Sequence, residues 1–392
     1  MEIAAKTRTE RFGILLPYCL GLADPVSNTG NLAKARTLFD SVTATETMEM
    51  VDTVVSSTDD LELVKIIVTR MLHSFTKALG AHVRPFERGF PYIESILERN
   101  DRISRVLDDL KPVLARVNGR GSVGEDAPMI LRSLAGLELL STHYVGKENI
   151  LFPVVERYIE ESRCVQLMWA IHDDIRSSLR RLHDDVVSEE VPLAELNRLF
   201  GRLFFDMRSM IFREEQVLFP AVLPRIPSKV LRSLGEQQFE STQADASEAR
   251  GDADAKLDLV TGNPTVRQLI GIFNNLPVDI TLVDEEDRVV YFNTPEHRIF
   301  PRAKEVVGRT VQNCHPPRSV HIVQRILDSF REKRERTADF RIFVKGRFIR
   351  ISYHALYHED GSYAGTLEVS QDITDLKKME GEKRLLDWNS AD

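Results

Sequence analysis

Cysteine is scarce in this sequence of 392 residues. Its three cysteines are Cys19, Cys164 and Cys314, and no two of them stand in a Cys-x-x-Cys pair. An odd number without that spacing excludes a disulfide framework and a zinc knuckle, and it is typical of free thiols in a reducing compartment. We therefore expect a cytoplasmic protein.

Long apolar runs and an excess of basic residues are missing as well. The most apolar stretch near the N-terminus, residues 12–23, is interrupted by Pro17 and is too short to span a bilayer. The net charge is -8, and the basic runs 331–336 and 377–384 are interleaved with glutamate, as in solvated helix faces. We expect no export, no membrane contact and no nucleic acid partner.

Familiar catalytic motifs are also absent. The sequence has no Gly-x-Ser-x-Gly and no phosphate-binding loop, and no arrangement of Cys and His indicates a nucleophile. We therefore expect a protein that is not a conventional enzyme.

The residues that are present divide the chain into parts, because its length exceeds what one hydrophobic core usually organises. The apolar spacing is helical up to about residue 235, then collapses into a polar stretch, and then changes period. The predicted fold is multidomain, an all-α N-terminal region with a four-helix bundle followed by an α+β domain. The predicted parts are a small helical domain of unknown function (1–81), the bundle (82–235), a linker (236–263), the α+β domain (264–375) and a C-terminal helix or tail (376–392).

The boundaries of several elements follow from the same patterns. A helix over 61–75 is preceded by Thr58 and Asp59 as N-terminal caps. Short turn-rich connections predict antiparallel bundle helices. These bundle helices are expected at 82–117, 128–160, 163–187 and 192–222. In the α+β domain, we expect a strand pair in 279–293, a helix at 319–335 and a meander of strands at 338–344, 348–357 and 363–371.

The α+β domain resembles the PAS family in several places. Tyr-Phe-Asn at 291–293 stands where the second PAS strand ends, and Gly308 stands before the long helix. Gly-Thr-Leu-Glu-Val at 365–369, followed by Gln-Asp-Ile-Thr at 371–374, matches the closing strand. The resemblance implies a five-stranded antiparallel sheet around a pocket for a signal molecule or cofactor.

Three residues near the long helix of this domain are candidate cofactor ligands. Cys314, His315 and His321 belong to residue types that serve as axial ligands of haem iron. His-Pro-Pro before a helix also has a purely structural explanation, because proline is preorganised for the first helical turn. Haem, another small molecule, or no ligand at these three residues all stay open.

Two stretches of the predicted bundle repeat each other. Lys-Glu-Asn-Ile-Leu-Phe-Pro at 147–153 corresponds to Glu-Glu-Gln-Val-Leu-Phe-Pro at 214–220. This resembles hemerythrin-like (HHE cation-binding) bundles, in which His-x-x-x-Glu before Leu-Phe-Pro supplies ligands of a di-iron site. Here one half-site keeps His143 but has Lys147 in place of the carboxylate, and the other keeps Glu214 but has Met210 in place of the histidine. The first helix offers only His82.

These departures predict an altered metal site. We expect no complete di-iron centre, because an ammonium group in the core repels iron. Lys147 is expected to pair with Glu214, near His143 and His172; alternatively Lys147 reaches solvent while Glu148 turns inward. A residual mononuclear metal site would use His143, His172, Glu148 and Glu214.

The order of the parts resembles a prokaryotic three-part family with an N-terminal domain of unknown function, a hemerythrin-like bundle and a C-terminal PAS domain. It implies a cytoplasmic signal-sensing or regulatory protein with a small-molecule ligand and a protein partner. The alternatives are an iron-binding protein that responds to oxygen or nitric oxide or repairs iron centres, and a haem-binding PAS sensor. The amphipathic tail 375–388 would suit a homodimer contact.

Overall fold

The computed structural model describes residues 7–24, 26–80, 89–188, 191–234, 253–344 and 346–382. The described residues form two compact units. The first contains the residues up to 234 together with 315–319, and the second contains the remaining residues from 253 onward. Within these ranges, no helix combines the length and the apolar character needed to cross a membrane.

The N-terminal helices pack around a core of aliphatic and methionine side chains. They are α1 (Arg8–Leu20), α2 (Thr29–Ala35), α3 (Ala44–Ser56) and α4 (Leu61–Gly80). A capping box begins α3, since Thr43 and Glu46 bond each other's backbone N–H groups. Glu46 also accepts a hydrogen bond of 2.5 Å from Nε of Arg11, which ties α3 to α1.

The N-terminal cap of α4 differs from the predicted one. Asp60 accepts a hydrogen bond of 3.0 Å from the backbone N–H of Leu63, whereas Thr58 bonds only the N–H of Asp60. An N-cap side chain accepts from the backbone N–H of the second or third helical residue. Because α4 begins at Leu61, Asp60 is in reach and the predicted caps Thr58 and Asp59 are one or two residues too early.

Four long helical stretches form the bundle, as the periodicity predicts. Its helices are α5 (Pro91–Arg120), α6 (Ala127–Ser141), α7 (His143–Gly146), α8 (Phe152–Tyr158), α9 (Cys164–Ser188), α10 (Leu193–Phe212), α11 (Phe219–Val222) and α12 (Ser228–Ser233). Apolar residues at helical spacing bury one face of each long helix, among them Ile103 and Leu107 on α5. The predicted helix start at His82 lies outside the described residues.

Both copies of the sequence repeat contain a π-helical turn. Lys147–Leu151 separates α7 from α8, and Arg213–Leu218 separates α10 from α11. A proline stands two residues after each turn, at Pro153 and Pro220. Proline has no N–H to bond the carbonyl oxygen four residues earlier. The residue before it bonds five residues back instead, Phe152 to the carbonyl of Lys147 and Phe219 to that of Glu214.

The second unit is an α+β domain built on an antiparallel sheet. Its described elements are α13 (Val266–Asn275), β1 (Asp279–Val283), β2 (Val289–Phe292), α14 (Pro317–Arg331, of which residues 320–331 belong to this unit), β3 (Thr337–Val344), β4 (Arg347–Tyr357) and β5 (Tyr363–Asp372). The strand order is β2-β1-β5-β4-β3. The prediction of a strand pair, helices and a meander is therefore confirmed, although α14 ends at Arg331 and not at residue 335.

Gly365 shows why the closing strand needs a glycine. Its φ is +138°, and a Cβ at this position would lie 2.2 Å from the carbonyl oxygen of Val283 on β1. A side chain would push β5 away from β1, so glycine permits the close approach of the two strands. Of the predicted C-terminal helix, Leu376–Lys378 form a short 3-10 turn, and 383–392 lie outside the described residues.

Candidate functional site

The two π-helical turns bring a lysine and a glutamate together in the bundle core. Nζ of Lys147 lies 2.5 Å from Oε1 of Glu214, and both side chains are completely buried. The other carboxylate oxygen of Glu214 accepts a hydrogen bond of 2.9 Å from the Asn100 side chain on α5. The predicted pairing of Lys147 with Glu214 is thus confirmed, and Asn100 links the pair to a third helix.

The surroundings of Lys147 act on its charge in opposite directions. Burial lowers the pKa of Lys147 below its ordinary value, and the adjacent Glu214 carboxylate offsets this only in part. The ring of Tyr144, with its centroid 5.1 Å from Nζ, adds a cation–π contact. A buried ammonium group therefore has both an anionic and an aromatic partner.

Glu148 also turns inward, next to the buried lysine. Its Oε1 lies 2.8 Å from Nδ1 of His172 and accepts a hydrogen bond of 2.9 Å from Nη2 of Arg176. The two orientations treated as alternatives therefore occur together, and Lys147 does not reach solvent. Glu148 has partners on α9, whereas Lys147 pairs across to the second π-helical turn.

The two predicted histidines lie on either side of a tyrosine ring. Tyr144 stacks on His172 at a centroid distance of 4.0 Å and contacts His143 at 4.6 Å. Nδ1 of His143 contacts the carbonyl of Leu140. Burial, and then the charge of Lys147, lower the pKa of both imidazoles, so both are neutral at pH 7.

Each of these imidazoles has one nitrogen without a hydrogen-bond partner in the described part of the chain. The two atoms are Nε2 of His143 and Nε2 of His172, both buried. Unpaired buried polar atoms are uncommon in folded proteins. These two nitrogen atoms are therefore the ring positions of His143 and His172 that the bundle core leaves unpaired.

The donor set does not fit a di-iron centre. Iron in such a bundle needs free carboxylates, but Glu214 is held by Lys147 and Asn100, and Glu148 by His172 and Arg176. Met210 is buried where the second half-site has its histidine in the family pattern. Among the residues that the structure describes, no group of three or more His, Cys, Asp or Glu side chains is placed to hold a metal ion.

Three members of this cluster are not found by comparing the two repeats. Asn100 and Arg176 lie on the other two long helices, and Tyr144 stands between two repeat positions. In the sequence, these three could be recognised only as polar or large residues at positions where helical spacing places the side chain on the core-facing side of a helix. That signal is weak, because the same period allows such residues at the edge of the core.

The interior of the α+β domain carries a second set of buried polar groups. Arg298 donates to the carbonyl oxygen and to the side-chain oxygen of Asn293, to the carbonyl of Phe300 and to the hydroxyl of Thr281. Its guanidinium lies 3.7 Å from the buried Asp279. Burial lowers the pKa of Arg298 to about 10. These bonds hold the loop after β2 against the sheet.

Arg302, four residues further along, is bonded less completely. Its Nη2 lies 3.4 Å from Oε2 of Glu368 on β5, and its Nε has no partner within the described ranges. Burial raises the pKa of the nearby Tyr353 phenol, and the Glu368 charge raises it further. Glu368 is buried, and its two polar neighbours Arg302 and Tyr353 are half-buried.

The predicted cofactor ligands do not belong to this polar group. Cys314 and His315 are half-buried, and Cys314 packs against an apolar cluster that contains Val289 and Leu327. His321 is exposed on α14. An exposed His321 does not line an enclosed pocket in this structure, and the three residues stay a prediction as ligands.

Two family models match the chain. Residues 92–222 match the hemerythrin HHE cation binding domain, and residues 269–374 match a PAS domain. Both matches follow the order of domains expected from the sequence motifs.

The chain is also similar to several solved structures. A C-terminal domain from Streptococcus mutans is 28% identical, over 33% of this chain and 100% of that chain, with a TM-score of 0.32. The PAS domain of Bordetella pertussis BvgS is 20% identical, over 29% of this chain and 96% of that chain, with a TM-score of 0.24. No curated protein matches. From its family models, this chain carries a hemerythrin HHE cation binding domain at residues 92–222 and a PAS domain at residues 269–374.

Proposed function

We propose that this protein is a cytoplasmic sensor or regulator whose PAS domain binds a small molecule and whose hemerythrin-type bundle holds no di-iron centre. The presence of a PAS domain together with a hemerythrin domain supports a sensory or regulatory role. The observation that carries the second half of the proposal is the buried pair of Lys147 and Glu214.

The physical argument is one of charge. A cation in a bundle core must be balanced by carboxylates, and the ammonium group of Lys147 already occupies one oxygen of Glu214 at 2.5 Å. A metal ion beside it would add repulsion and would compete for the same oxygen. Lys147 thus supplies a positive charge from the chain itself, and its ion pair with Glu214 joins the two repeat segments.

A second candidate function is that of an iron-binding protein that responds to oxygen or nitric oxide. The observation in its favour is the pair of unpaired imidazole atoms, Nε2 of His143 and Nε2 of His172. Together with Glu148 and Glu214, they would make the residual mononuclear site. That site would require both carboxylates to leave their present partners.

The output of the sensor is proposed to be contact with a protein partner, with homodimer formation as one form of it. The PAS ligand is proposed to be a small metabolite; haem is the alternative. The absorbance spectrum of the purified protein separates these two, because bound haem gives a Soret band and a colourless metabolite gives none.

A restoring variant tests the metal-free bundle. K147E with M210H returns a His-x-x-x-Glu pair to both repeats, so the proposal expects the double variant to bind iron and the wild-type protein to bind none. The single variant M210H is the matched control, since it keeps Lys147 and should not gain iron. One or more iron atoms per chain in the wild type would contradict the proposal. Circular dichroism verifies that all three proteins fold.

A further inference from the structure

We propose that two copies of this chain dimerise by pairing their β3 strands edge to edge and antiparallel, with Asp339 of each copy opposite Arg341 of the other. This inference rests on the proposed function, in which homodimer formation is one form of contact with a protein partner. It adds the surface and the strand register through which the second copy binds.

The sheet has two edge strands, and the chain itself covers one of them. On the outer side of β2, the N–H of Gly308 donates to the carbonyl of Val289 at 2.7 Å, and the N–H of Val289 donates to the carbonyl of Arg309 at 2.9 Å. On the outer side of β3, no backbone hydrogen bond to another segment occurs within the described residues. Unpaired N–H and C=O groups along an edge are a template for a further strand.

The β3 edge is long and carries exposed apolar side chains. It runs for eight residues, Thr337–Val344, contains no proline and pairs with β4 without a shift of register. Phe343 is 72% exposed, and Ile342 and Phe340 are 37% and 36% exposed. Folded proteins usually protect such an edge by shortening, bending or covering it. A strand from a second copy would cover this one.

The bonds to β4 determine which backbone groups of β3 point outward. The N–H of Ala355 donates to the carbonyl of Arg336, so these two residues form a hydrogen-bonded pair at the start of the ladder. Such pairs alternate along an antiparallel ladder, and the residues between them direct N–H and C=O to the opposite side. The β3 residues with outward backbone groups are therefore Thr337, Asp339, Arg341 and Phe343.

The two charges of β3 select a register. Identical strands that pair antiparallel about a two-fold axis are arranged symmetrically around one central residue. With Phe340 at the centre, Asp339 faces Arg341 of the second copy, and this pair occurs twice. With Asp339 or Arg341 at the centre, each would face its own counterpart, and like charges directly opposite destabilise a sheet. The register around Phe340 also sets Thr337 against Phe343, so the outward backbone groups meet.

The present contacts of the two charged residues leave room for this pairing. Arg341 has a side chain that is 69% exposed, and its Nε lies 3.8 Å from Oδ1 of Asp339 on its own strand. Asp339 uses its other oxygen, Oδ2, to accept a hydrogen bond of 2.7 Å from Nε of Arg350 on β4. In the paired edges, Oδ1 of Asp339 would accept from Arg341 of the second copy while Arg350 stays bonded.

Sedimentation equilibrium of the whole protein over a range of concentrations tests the proposal. We expect the wild type to dimerise reversibly, because one pair of edge strands makes a small interface. R341D replaces attraction by repulsion in both cross-strand pairs and should weaken dimerisation roughly tenfold.

A double variant separates the assigned register from a general effect of charge. D339R with R341D restores opposite charges across the edge, and it keeps a carboxylate beside Arg350, which pairs with position 341 within the sheet. We expect this variant to dimerise within a few-fold of the wild type. R198D is the matched control, since the side chain of Arg198 on α10 is 64% exposed, and it should leave dimerisation unchanged.

Three results would overturn the inference, once circular dichroism has verified that the variants fold. The first is a wild type that stays monomeric at every concentration. The second is a dimer that R341D does not weaken, such as one formed by the tail 375–388. The third is a double variant that dimerises as weakly as R341D. The sensor role fails or holds separately, because the absorbance spectrum and the metal content of the wild type do not depend on this edge.

Discussion

At the scale of single residues, the bundle core depends on a charge pair inside a hydrophobic surrounding. Lys147 and Glu214 are both fully buried, and Asn100 bonds the second oxygen of Glu214. Removing one member leaves the other as an uncompensated buried charge, which is far more costly than replacing both by apolar residues. The pair therefore makes the two repeats depend on each other.

Substitution of the lysine alone should be severe. We expect K147M to lower the free energy of unfolding by about 3–5 kcal/mol, and K147M with E214M to recover most of that loss. Urea unfolding followed by circular dichroism measures both. Lys111, 61% exposed and paired with Asp108, is the matched control, and K111M should cost less than about 1 kcal/mol. A small effect of K147M, similar to that of K111M, would show that the pair is not buried.

A half-buried carboxylate on α10, that of Asp206, makes a separate prediction about pH. Burial raises the pKa of Asp206 to about 6, and Arg202, with Nε at 3.6 Å, offsets this only in part. A carboxyl with a higher pKa in the folded state binds more protons there than in the unfolded state. The stability contribution of Asp206 therefore falls as pH rises from about 4 to about 6, and its ionised form weakens the fold above that range.

We expect D206N to stabilise the protein by roughly 1–3 kcal/mol at pH 8 and to have little effect at pH 4, because asparagine resembles the protonated acid. Urea unfolding at the two pH values measures the difference. D184N is the control, since the side chain of Asp184 is 81% exposed. Destabilisation by D206N at pH 8 would mean that the attraction to Arg202 outweighs the cost of burial.

At the scale of elements, helix ends and π-helical turns are where sequence patterns were least informative. Helical periodicity predicts the existence of α4, but it does not decide between Thr58, Asp59 and Asp60 as its cap, since each can accept a hydrogen bond. The choice depends on which backbone N–H the side chain reaches, and Asp60 reaches that of Leu63 at 3.0 Å. A regular α-helix turns by about 100° per residue, so the sequence pattern suggested that only one of the neighbours Lys147 and Glu148 would face the core. The π-helical turn buries both side chains.

The cap makes a prediction with a close control. D60A should lower the free energy of unfolding by about 1 kcal/mol, because it leaves the N–H of Leu63 without its partner. D59A, one residue earlier, should have almost no effect. Chemical denaturation of the two variants measures the contrast, and equal losses would show that the cap of α4 was assigned wrongly.

At the scale of the whole molecule, the order of domains was predictable and the chemistry inside them was less so. The loss of apolar spacing after residue 235 and the motif at 365–374 predict a helical bundle followed by a PAS domain, and the family models confirm both domains. The Lys147–Glu214 pair followed from aligning the two repeats. The polar row of Thr281, Glu368 and Tyr353 did not, because strand register joins residues far apart in sequence.

The central claim is that a chain with a hemerythrin domain holds its bundle together without a di-iron centre. The most direct test is the iron and zinc content of the wild-type protein purified from iron-supplemented cells, measured by mass spectrometry of the elements. The buried Lys147–Glu214 pair predicts far less than one metal ion per chain. Two iron atoms per chain would contradict the account.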